Sequence, residues 1–453
     1  MIAKTVGVSG PPFIAPSPPN SLYCAPMKKP AVSFLSVTLA AVVFSAAAAF
    51  TKPLQFWVYS QKDAQYYSDM VALYNKKTGA KFEAEFKAYG YAEMPDKLAL
   101  AVKSGINMPD IVQFDEIFFS LYLKDEVPFL DLTDRIAKGP LKSGMLPQRF
   151  GVFSWKNRIY GVPQSTSTVV LWYREDLFRE AGISPNDLRT WEGFEQAAQK
   201  IRTGSRHMLA MDWSYLPMLV RQRGYDLYNK DGVPLADSAV IVETWNRLAG
   251  WIRDGVSFMP GQGGIFSPQF FSTSVAANGV MSIIGPDWYG LDILQNMDPE
   301  RKGRWRAMPL PVWTDSKSKG RRNTSMFSGQ GLVIFKKSKQ TEAAWKFVEW
   351  VMSDMDANAE RYLQGNAFTP FRPAWTDLRY AHPEPYFGNQ ILTELLMELA
   401  PKSPPGMQSP AHALIVNFLR EQYYNSTMND ENMPPEKAYS EIKATLRKMG
   451  YIK

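Results

Sequence analysis

The strongest constraint on the fold is the regular alternation of short apolar runs with amphipathic helical segments. Residues 54–59 are typical of a buried strand, and residues 66–77 place apolar side chains on one helical face. An alternating strand at 81–86, a second helix at 94–104 and a strand at 111–114 follow. This order predicts a mainly parallel sheet covered by helices on both faces, and such sheets bind ligands at the carboxyl ends of their strands.

The same alternation returns further along the chain. Residues 169–173 and 280–284 are strand-like, and residues 240–253 and 341–353 have helical periodicity. We find no internal sequence repeat. The chain has 453 residues, which is long enough for two domains that each bury a core. The sequence therefore predicts an α/β protein with two units.

The first fifty residues form a segment of a different kind. After Met27, two lysines precede an apolar stretch at 31–44, and small residues end just before Phe50. This is the layout of a secretory signal peptide at 27–49, and it predicts export to the periplasm. Residues 1–26 are Pro-rich and fit no part of the layout, so we interpret them as a non-native upstream extension. An uncleaved membrane anchor is the alternative, although the apolar stretch is short for a span.

The charge pattern argues against a nucleic-acid partner. The formal net charge is +7, but Lys4, Lys28 and Lys29 supply three of these charges and lie before the predicted mature start. The remaining basic residues are mixed with acidic ones. The one dense basic run, 317–322, lies in a Ser/Gly-rich stretch, and we interpret it as an exposed loop.

No residue pattern predicts a metal, a cofactor or a catalytic site. Cys24 is the only cysteine and precedes the predicted mature start, so a disulfide or a Cys-based metal site is not expected. His207, His382 and His412 are far apart and show no ligand spacing, which favours polar or capping roles. The sequence contains no G-x-S-x-G, H-E-x-x-H or Walker motif.

A series of short motifs runs along the mature chain. Residues 104–112 read SGINMPDIV, residues 158–163 read RIYGVP and residues 171–178 read LWYREDLF. AGI at 181–183 and TW at 190–191 follow. In order and spacing this series resembles the family 1 extracellular solute-binding proteins of bacterial ABC importers, the maltose-binding-protein-like group.

The resemblance implies a two-lobe periplasmic binding protein fold with three crossings between the lobes, near Pro163, Arg306 and Gln364. It also implies a binding subunit that closes its lobes around a mono- or oligosaccharide and delivers it to permease subunits in the inner membrane, as a monomer and without catalysis. The first implied lobe combines residues 50–164 and 308–363, and the second combines residues 165–307 and 364–453.

The resemblance also places candidate sugar contacts at strand ends and crossings. A sugar needs planar aromatic groups for its C–H faces and short polar groups for its hydroxyls. The candidates are Tyr59, Ser60, Lys62, Asp115, Glu116, Thr166, Ser167, Trp213, Trp288, Tyr289, Gln330 and Arg372. We expect Trp288 to stack on the same sugar whose hydroxyls bind Asp115 from the opposite lobe.

Several candidates have simpler interpretations. Asp115 could cap a helix, and Lys62 could be a surface residue. Trp213 and Trp288 could be core side chains, and Arg372 could form an ion pair between lobes. A further group of tryptophans fits strand or helix periodicity and is assigned to the core. These are Trp57, Trp191, Trp245 and Trp345.

Two other functions stay open at this point. A secreted carbohydrate-active hydrolase needs two converging carboxylates, whereas the side chains of Asp115 and Glu116 would diverge on a strand. A polyamine-binding protein needs several acids with aromatic groups, which these two residues and Trp213 could supply.

Overall fold

The protein is described by a computed structural model that covers residues 52–452, except 202–204, 262, 365–366 and 430–432. The predicted signal peptide at 27–49 and the extension at 1–26 lie outside the described residues. Within the described part of the chain, no helix is long and apolar enough to cross a membrane.

The secondary structure follows the predicted alternation of strands and helices. The strands are β1 (Leu54–Val58), β2 (Ala84–Ala88), β3 (Ile111–Asp115), β4 (Ser154–Trp155), β5 (Arg158–Ile159), β6 (Gly161–Pro163), β7 (Thr168–Arg174), β8 (His207–Ala210), β9 (Ser257–Phe258), β10 (Val280–Pro286), β11 (Trp305–Met308), β12 (Ser325–Met326) and β13 (Gln330–Ile334). The helices are α1 (Gln61–Thr78), α2 (Met94–Ser104), α3 (Glu116–Phe119), α4 (Thr133–Lys138), α5 (Leu141–Gly144), α6 (Glu175–Glu180), α7 (Trp191–Gln199), α8 (Tyr215–Gln222), α9 (Ser238–Arg253), α10 (Pro268–Phe270), α11 (Gln295–Met297), α12 (Thr341–Ser353), α13 (Met355–Leu363), α14 (Leu392–Leu399), α15 (His412–Asn417), α16 (Tyr424–Asn429) and α17 (Pro435–Lys448).

Two sheets organise the molecule, and each is the centre of one lobe. The first sheet has the order β2-β1-β3-β13-β6. The second has the order β11-β7-β10-β8-β9, and β12 also pairs with β7. Helices α1 and α12 pack against the first sheet, and α8 and α9 pack against the second. The predicted two-lobe α/β fold is confirmed.

Each sheet is mixed, whereas mainly parallel sheets were predicted. β1 is parallel to β2 and β3, and β8 is parallel to β9 and β10. β13 and β7, which enter directly from the other lobe, run antiparallel to their neighbours. A parallel pair needs a long crossover connection, usually a helix, but a strand that arrives from the other sheet is under no such constraint.

The chain passes between the two sheets at residues 164–167 and at residues 327–329. The third crossing, near Gln364, stays a prediction. The second crossing differs from the prediction near Arg306. β11 and β12 both pair with β7, so the chain stays in the second lobe as far as Met326. The sequence did not reveal this pairing, because β12 is only two residues long. The division into lobes by residue range otherwise stays a prediction.

Burial separates the tryptophans into two groups. The four that were assigned to the core are at most 6% exposed, as their periodicity predicts. Trp213 and Trp288 are only half-buried, although both pack against the core on one side. Burial of a large aromatic side chain favours folding, and Trp213 and Trp288 leave part of that apolar surface uncovered.

Candidate functional site

A cavity of about 1340 Å³ lies where strand ends of the two lobes meet. Its wall contains residues that follow β1, β3, β8, β9 and β10, together with the first two crossing segments and the C-terminal helices. This is the edge at which α/β sheets bind ligands. The volume exceeds that of sites for small solutes, which are commonly about 300–1000 Å³. The cavity therefore has room for an extended ligand.

The wall formed by the first lobe is built at the end of β1. Ser60 is the N-cap of α1, where its hydroxyl accepts from the Asp63 amide at 3.0 Å. This turn brings Tyr59, Ser60, Lys62 and Asp63 to the cavity. The Tyr59 ring lies 5.4 Å from the ring of Tyr91, another residue of the wall. Tyr59, Ser60 and Lys62 were predicted, whereas Asp63 and Tyr91 were missed.

Asp115 both caps a helix and lines the cavity. It is the N-cap of α3, where its Oδ1 accepts from the Ile117 amide at 2.9 Å. It also lines the cavity, and the Ser328 hydroxyl donates to its Oδ2 at 3.3 Å. Burial, followed by the nearby charge of Glu116, raises the pKa of Asp115 to about 7. A carboxyl group that is costly to ionise thus faces the ligand space.

The wall formed by the second lobe is aromatic. Trp288 follows β10, and its ring lies 6.3 Å from that of Phe266 in a stacked arrangement. Trp213 follows β8, and its ring lies 5.7 Å from that of Phe327 with an edge-on tilt. All four side chains line the cavity. The indole Nε1 of Trp288 is buried and has no partner among the described residues.

Acidic side chains outnumber basic ones in this wall. Asp212 and Asp292 join Asp63 and Asp115 from the second lobe. Burial raises the pKa of both Asp212 and Asp292, and the charge of Lys62 opposes this rise for Asp292. Asp212 directly precedes Trp213, and Asp292 lies one helical turn after Trp288, so both had neighbours among the predicted residues.

Two glutamines, one in the first crossing and one directly after the second, meet in the cavity. The Gln164 side-chain amide donates to Gln330 Oε1 at 3.0 Å, and Gln113 donates to the same oxygen at 2.6 Å. The Tyr67 hydroxyl donates to Gln164 Oε1 at 2.9 Å. Gln330 was predicted and Gln164 was missed. Ser165 and Ser328 complete this part of the wall, which we call the crossing wall (Gln164, Ser165, Ser328 and Gln330).

The C-terminal helices supply a part of the site that the sequence analysis missed. α15 continues through a π-helical turn, Phe418–Tyr423, into α16. The lining residues recur every three or four positions, so they share one helical face. They are Ala413, Val416, Asn417, Arg420, Glu421 and Tyr424, and we call this face the C-terminal wall. The Tyr424 hydroxyl is buried without a partner among the described residues.

Five predicted residues lie outside the cavity wall. Thr166 donates to Asp287 Oδ2 at 2.6 Å, and Ser167 accepts from Arg149 at 3.2 Å. Glu116 is 2% exposed and lies near the positive charges of Arg221 and Arg149. The crossing backbone and the α3 turn point these three side chains into the protein rather than into the cavity.

The other two are Tyr289 and Arg372. Tyr289 is fully buried, and its hydroxyl donates to the Ile265 carbonyl at 2.7 Å. It is therefore a core residue, whereas its neighbour Trp288 faces the cavity. Arg372 is exposed and donates to the Ser143 carbonyl at 3.2 Å. Among the described residues, no group of three or more His, Cys, Asp and Glu side chains is placed to hold a metal ion.

Known proteins are similar to this chain over most of its length. Residues 59–358 match the family described as bacterial extracellular solute-binding protein. An arabinooligosaccharide-binding protein of Bacillus subtilis strain 168 is 27% identical over 346 residues, which cover 73% of this chain and 78% of that protein. A lactose-binding protein of Rhizobium radiobacter is 22% identical over 315 residues, with coverage of 67% and 71%.

Solved structures share the fold at low identity. The binding protein from B. animalis subsp. lactis Bl-04 in complex with beta-1,6-galactobiose has a TM-score of 0.69 and 19% identity. The match covers 88% of this chain and 98% of that one. Maltose-bound MalE3 of T. maritima has a TM-score of 0.67 and 16% identity, with coverage of 88% and 99%.

Proposed function

Because the chain belongs to the bacterial extracellular solute-binding protein family, we propose that it is the substrate-binding subunit of an ABC importer for a short oligosaccharide. The observation that supports this proposal most directly is the composition of one large cavity. Half-buried Trp213 and Trp288 stand on the second-lobe side, and Tyr59 and Asp115 stand on the first-lobe side. The aromatic side chains can stack on the C–H faces of a sugar ring, and the hydrogen-bonding acceptors can bind its hydroxyls.

The size of the cavity supports an oligosaccharide over a single sugar. A volume of about 1340 Å³ would leave a monosaccharide with few contacts on several sides. The relatives named after arabinooligosaccharides and lactose bind sugars of more than one unit. We therefore propose short, uncharged oligosaccharides as the ligand class. A uronate carries a negative charge, which the acidic lining would repel.

The orientation of Asp115 and Glu116 argues against the hydrolase pair that the sequence left open. Asp115 lines the cavity, whereas the adjacent Glu116 is buried beside Arg149 and Arg221. The two carboxyl groups therefore do not face one ligand together, as a glycoside hydrolase pair must. We assign no catalytic step to this site.

An importer subunit must meet its permease outside the cytoplasm in order to deliver the ligand. We propose that the protein acts outside the cytoplasm, in the periplasm, as a monomer that docks on the permease subunits in the inner membrane. The family description as extracellular and the predicted signal peptide at 27–49 support this location. Closure of the two lobes around the ligand would present the loaded form to the permease.

Calorimetric titration of the mature protein with arabinotriose and with lactose tests the function. We expect saturable binding of at least one of them, a higher melting temperature on binding, and recovery of the intact sugar. Binding of spermidine in place of either sugar would contradict the proposal and favour a polyamine ligand. Release of cleaved sugar would contradict it in favour of a hydrolase.

Tyr424→Phe tests the contribution of the C-terminal wall. The change removes only a hydroxyl that lacks a partner among the described residues, so it should leave ligand-free stability nearly unchanged. We expect binding of the preferred sugar to weaken by roughly fivefold, because a sugar hydroxyl loses its hydrogen bond. Tyr380→Phe is the matched control. Its hydroxyl is also buried without such a partner, but it lies outside the cavity. Equal affinities of the two variants would contradict a ligand contact at Tyr424.

A further inference from the structure

Arg149 joins the first two crossing segments from behind the cavity. It lies on the short 3-10 helix Pro147–Phe153 of the first lobe and is 1% exposed. Its Nε donates to the Ser165 carbonyl at 3.0 Å, and its Nη2 donates to the Ser167 hydroxyl at 3.2 Å. The same Nη2 donates to the Ser328 carbonyl at 3.2 Å. One guanidinium group therefore holds both crossings.

The two crossings are joined by backbone hydrogen bonds on either side of this guanidinium. Gln164 donates to the Gln330 carbonyl at 3.0 Å, and Phe327 donates to the Ser167 carbonyl at 3.2 Å. Between these two bonds, Arg149 supplies the donors that reach Ser165 and Ser328. A planar fork with several N–H groups can satisfy acceptors on two segments at once.

The backbone at this point is unusual in both crossings. Ser167 has φ of 49° and Ser328 has φ of 52°, in the left-handed region that non-glycine residues seldom adopt. Gly329 has φ of 129°, and an added Cβ there would lie 2.5 Å from Ser167 Oγ and 2.9 Å from Arg149 Nη2. We call Arg149, Ser165, Ser167, Ser328 and Gly329 the crossing clasp. Such conformations persist only where surrounding contacts hold them.

Charged groups of both lobes surround the guanidinium. Burial lowers the pKa of Arg149 to about 10, and the negative charges of Glu116 of the first lobe and Asp287 of the second, both buried, oppose this fall. Asp287 is tied to the first crossing, because Thr166 donates to its Oδ2 at 2.6 Å. Arg149 itself does not line the cavity. Ser165 and Ser328 belong both to the crossing clasp and to the crossing wall.

We propose that Arg149 is a positioning residue of the ligand site, which fixes the two crossings to each other so that the crossing wall keeps the arrangement that a carbohydrate needs. This inference rests on the proposed function. Without the guanidinium, the left-handed turns at Ser167 and Ser328 lose their shared partner, and the polar groups of the wall shift relative to each other. A misplaced set of hydrogen-bonding groups lowers affinity even when no contact residue has changed.

The test compares Arg149→Met and Arg149→Lys with the wild type in calorimetric titrations with arabinotriose and lactose. We expect binding to weaken at least about tenfold in Arg149→Met. Arg149→Lys keeps the positive charge near Glu116 and Asp287. Its melting temperature should therefore lie closer to that of the wild type than the melting temperature of Arg149→Met does. A single ammonium lacks the planar fork that spans both crossings, so its affinity should remain reduced.

Arg223→Met is the matched control. Arg223 is also fully buried, and it donates to Thr244 and Glu243 of the second lobe away from the cavity. It should lose thermal stability without losing affinity. If wild-type affinity persists in both Arg149 variants, the inference is overturned while the proposed function stands. If the wild type binds neither sugar, the proposed function fails first.

Gly329→Ala provides an independent route if the Arg149 variants do not fold. It alters no charge, and although Gly329 itself lines the cavity, its added methyl group would press on Ser167 and Arg149 within the crossing clasp. We expect weakened sugar binding from this variant as well. Wild-type affinity in Gly329→Ala would count against the crossing clasp.

Discussion

Trp288→Ala is expected to weaken oligosaccharide binding at least about tenfold, which corresponds to about 2 kcal/mol or more. The ring is half-buried, follows β10 and lines the cavity beside Phe266. Its loss removes a large apolar face that can stack on a sugar ring, and it also removes a buried Nε1–H that has no partner among the described residues. Calorimetric titration of the purified variant measures the change.

Trp155→Ala is the control for this variant. Trp155 is also half-buried with a buried Nε1 that lacks a partner among the described residues, but it lies on β4 outside the cavity. We expect it to bind sugar like the wild type. Near-wild-type affinity of Trp288→Ala, together with a large drop in its ligand-free melting temperature, would return Trp288 to the core role that the sequence left open.

Asp115→Asn is expected to have opposite effects on binding and on ligand-free stability. The carboxylate can accept strong hydrogen bonds from sugar hydroxyls, and such charge-assisted bonds contribute roughly 1.5–3 kcal/mol. Affinity at pH 8 should therefore fall at least about tenfold. Asparagine keeps an oxygen that can accept from the Ile117 amide, so the N-cap of α3 should survive.

The stability effect follows from the pKa of Asp115, which burial raises from 3.8 to about 7. Between these values the folded protein holds a proton that the unfolded chain has released, so stability falls as pH rises from about 4 to about 7. A pKa shift of this size corresponds to at most about 4 kcal/mol in the free energy of unfolding. Asp115→Asn removes this cost. Its melting temperature should match the wild type near pH 4 and exceed it above pH 7.

Ligand-free melting curves from pH 4 to pH 8 measure this difference. Other buried carboxyl groups, such as Asp287, remain in both proteins, so their contributions largely cancel in the comparison. Asp354→Asn serves as control, because Asp354 also caps a helix but lies outside the cavity. It should leave sugar affinity unchanged. A constant difference in melting temperature over this pH range would contradict the raised pKa of Asp115.

The two expected results would assign different roles to Trp288 and Asp115 within the site. Trp288 would contribute apolar area, whose loss weakens binding with little dependence on pH. Asp115 would contribute a charged acceptor that is costly to bury in the empty protein and useful once a ligand is present. Binding sites often retain such destabilising groups because function requires them.

Local sequence patterns predicted much of the fold. The order of β1, α1, β2, α2 and β3 followed from hydrophobic periodicity and helix stop signals, which act over a few residues. Strand ends then indicated where ligand groups should lie, and Tyr59, Ser60, Lys62 and Asp115 do line the cavity. Their contact with a sugar stays a prediction.

The sequence did not predict which of two neighbouring side chains faces the cavity, because position along the chain does not determine where a side chain points. Asp115 and Glu116 are adjacent, yet one faces the cavity and the other faces two buried arginines. Trp288 and Tyr289 divide between cavity and core in the same way. In an irregular crossing or a helical turn, neighbouring side chains point to different environments, and the packing of distant segments decides which one faces the ligand.

The sequence by itself determined the class of fold, the elements around the first sheet and the strand ends that carry candidate contacts, because periodicity, caps and family motifs are local properties. Only the tertiary structure decided that β12 stays with the second sheet, that residues 413–424 form a wall of the site, and that Arg149 joins two crossings. The physical reason is sequence separation. Arg149 and Ser328 are 179 positions apart, and no local pattern records a hydrogen bond that only long-range packing brings about.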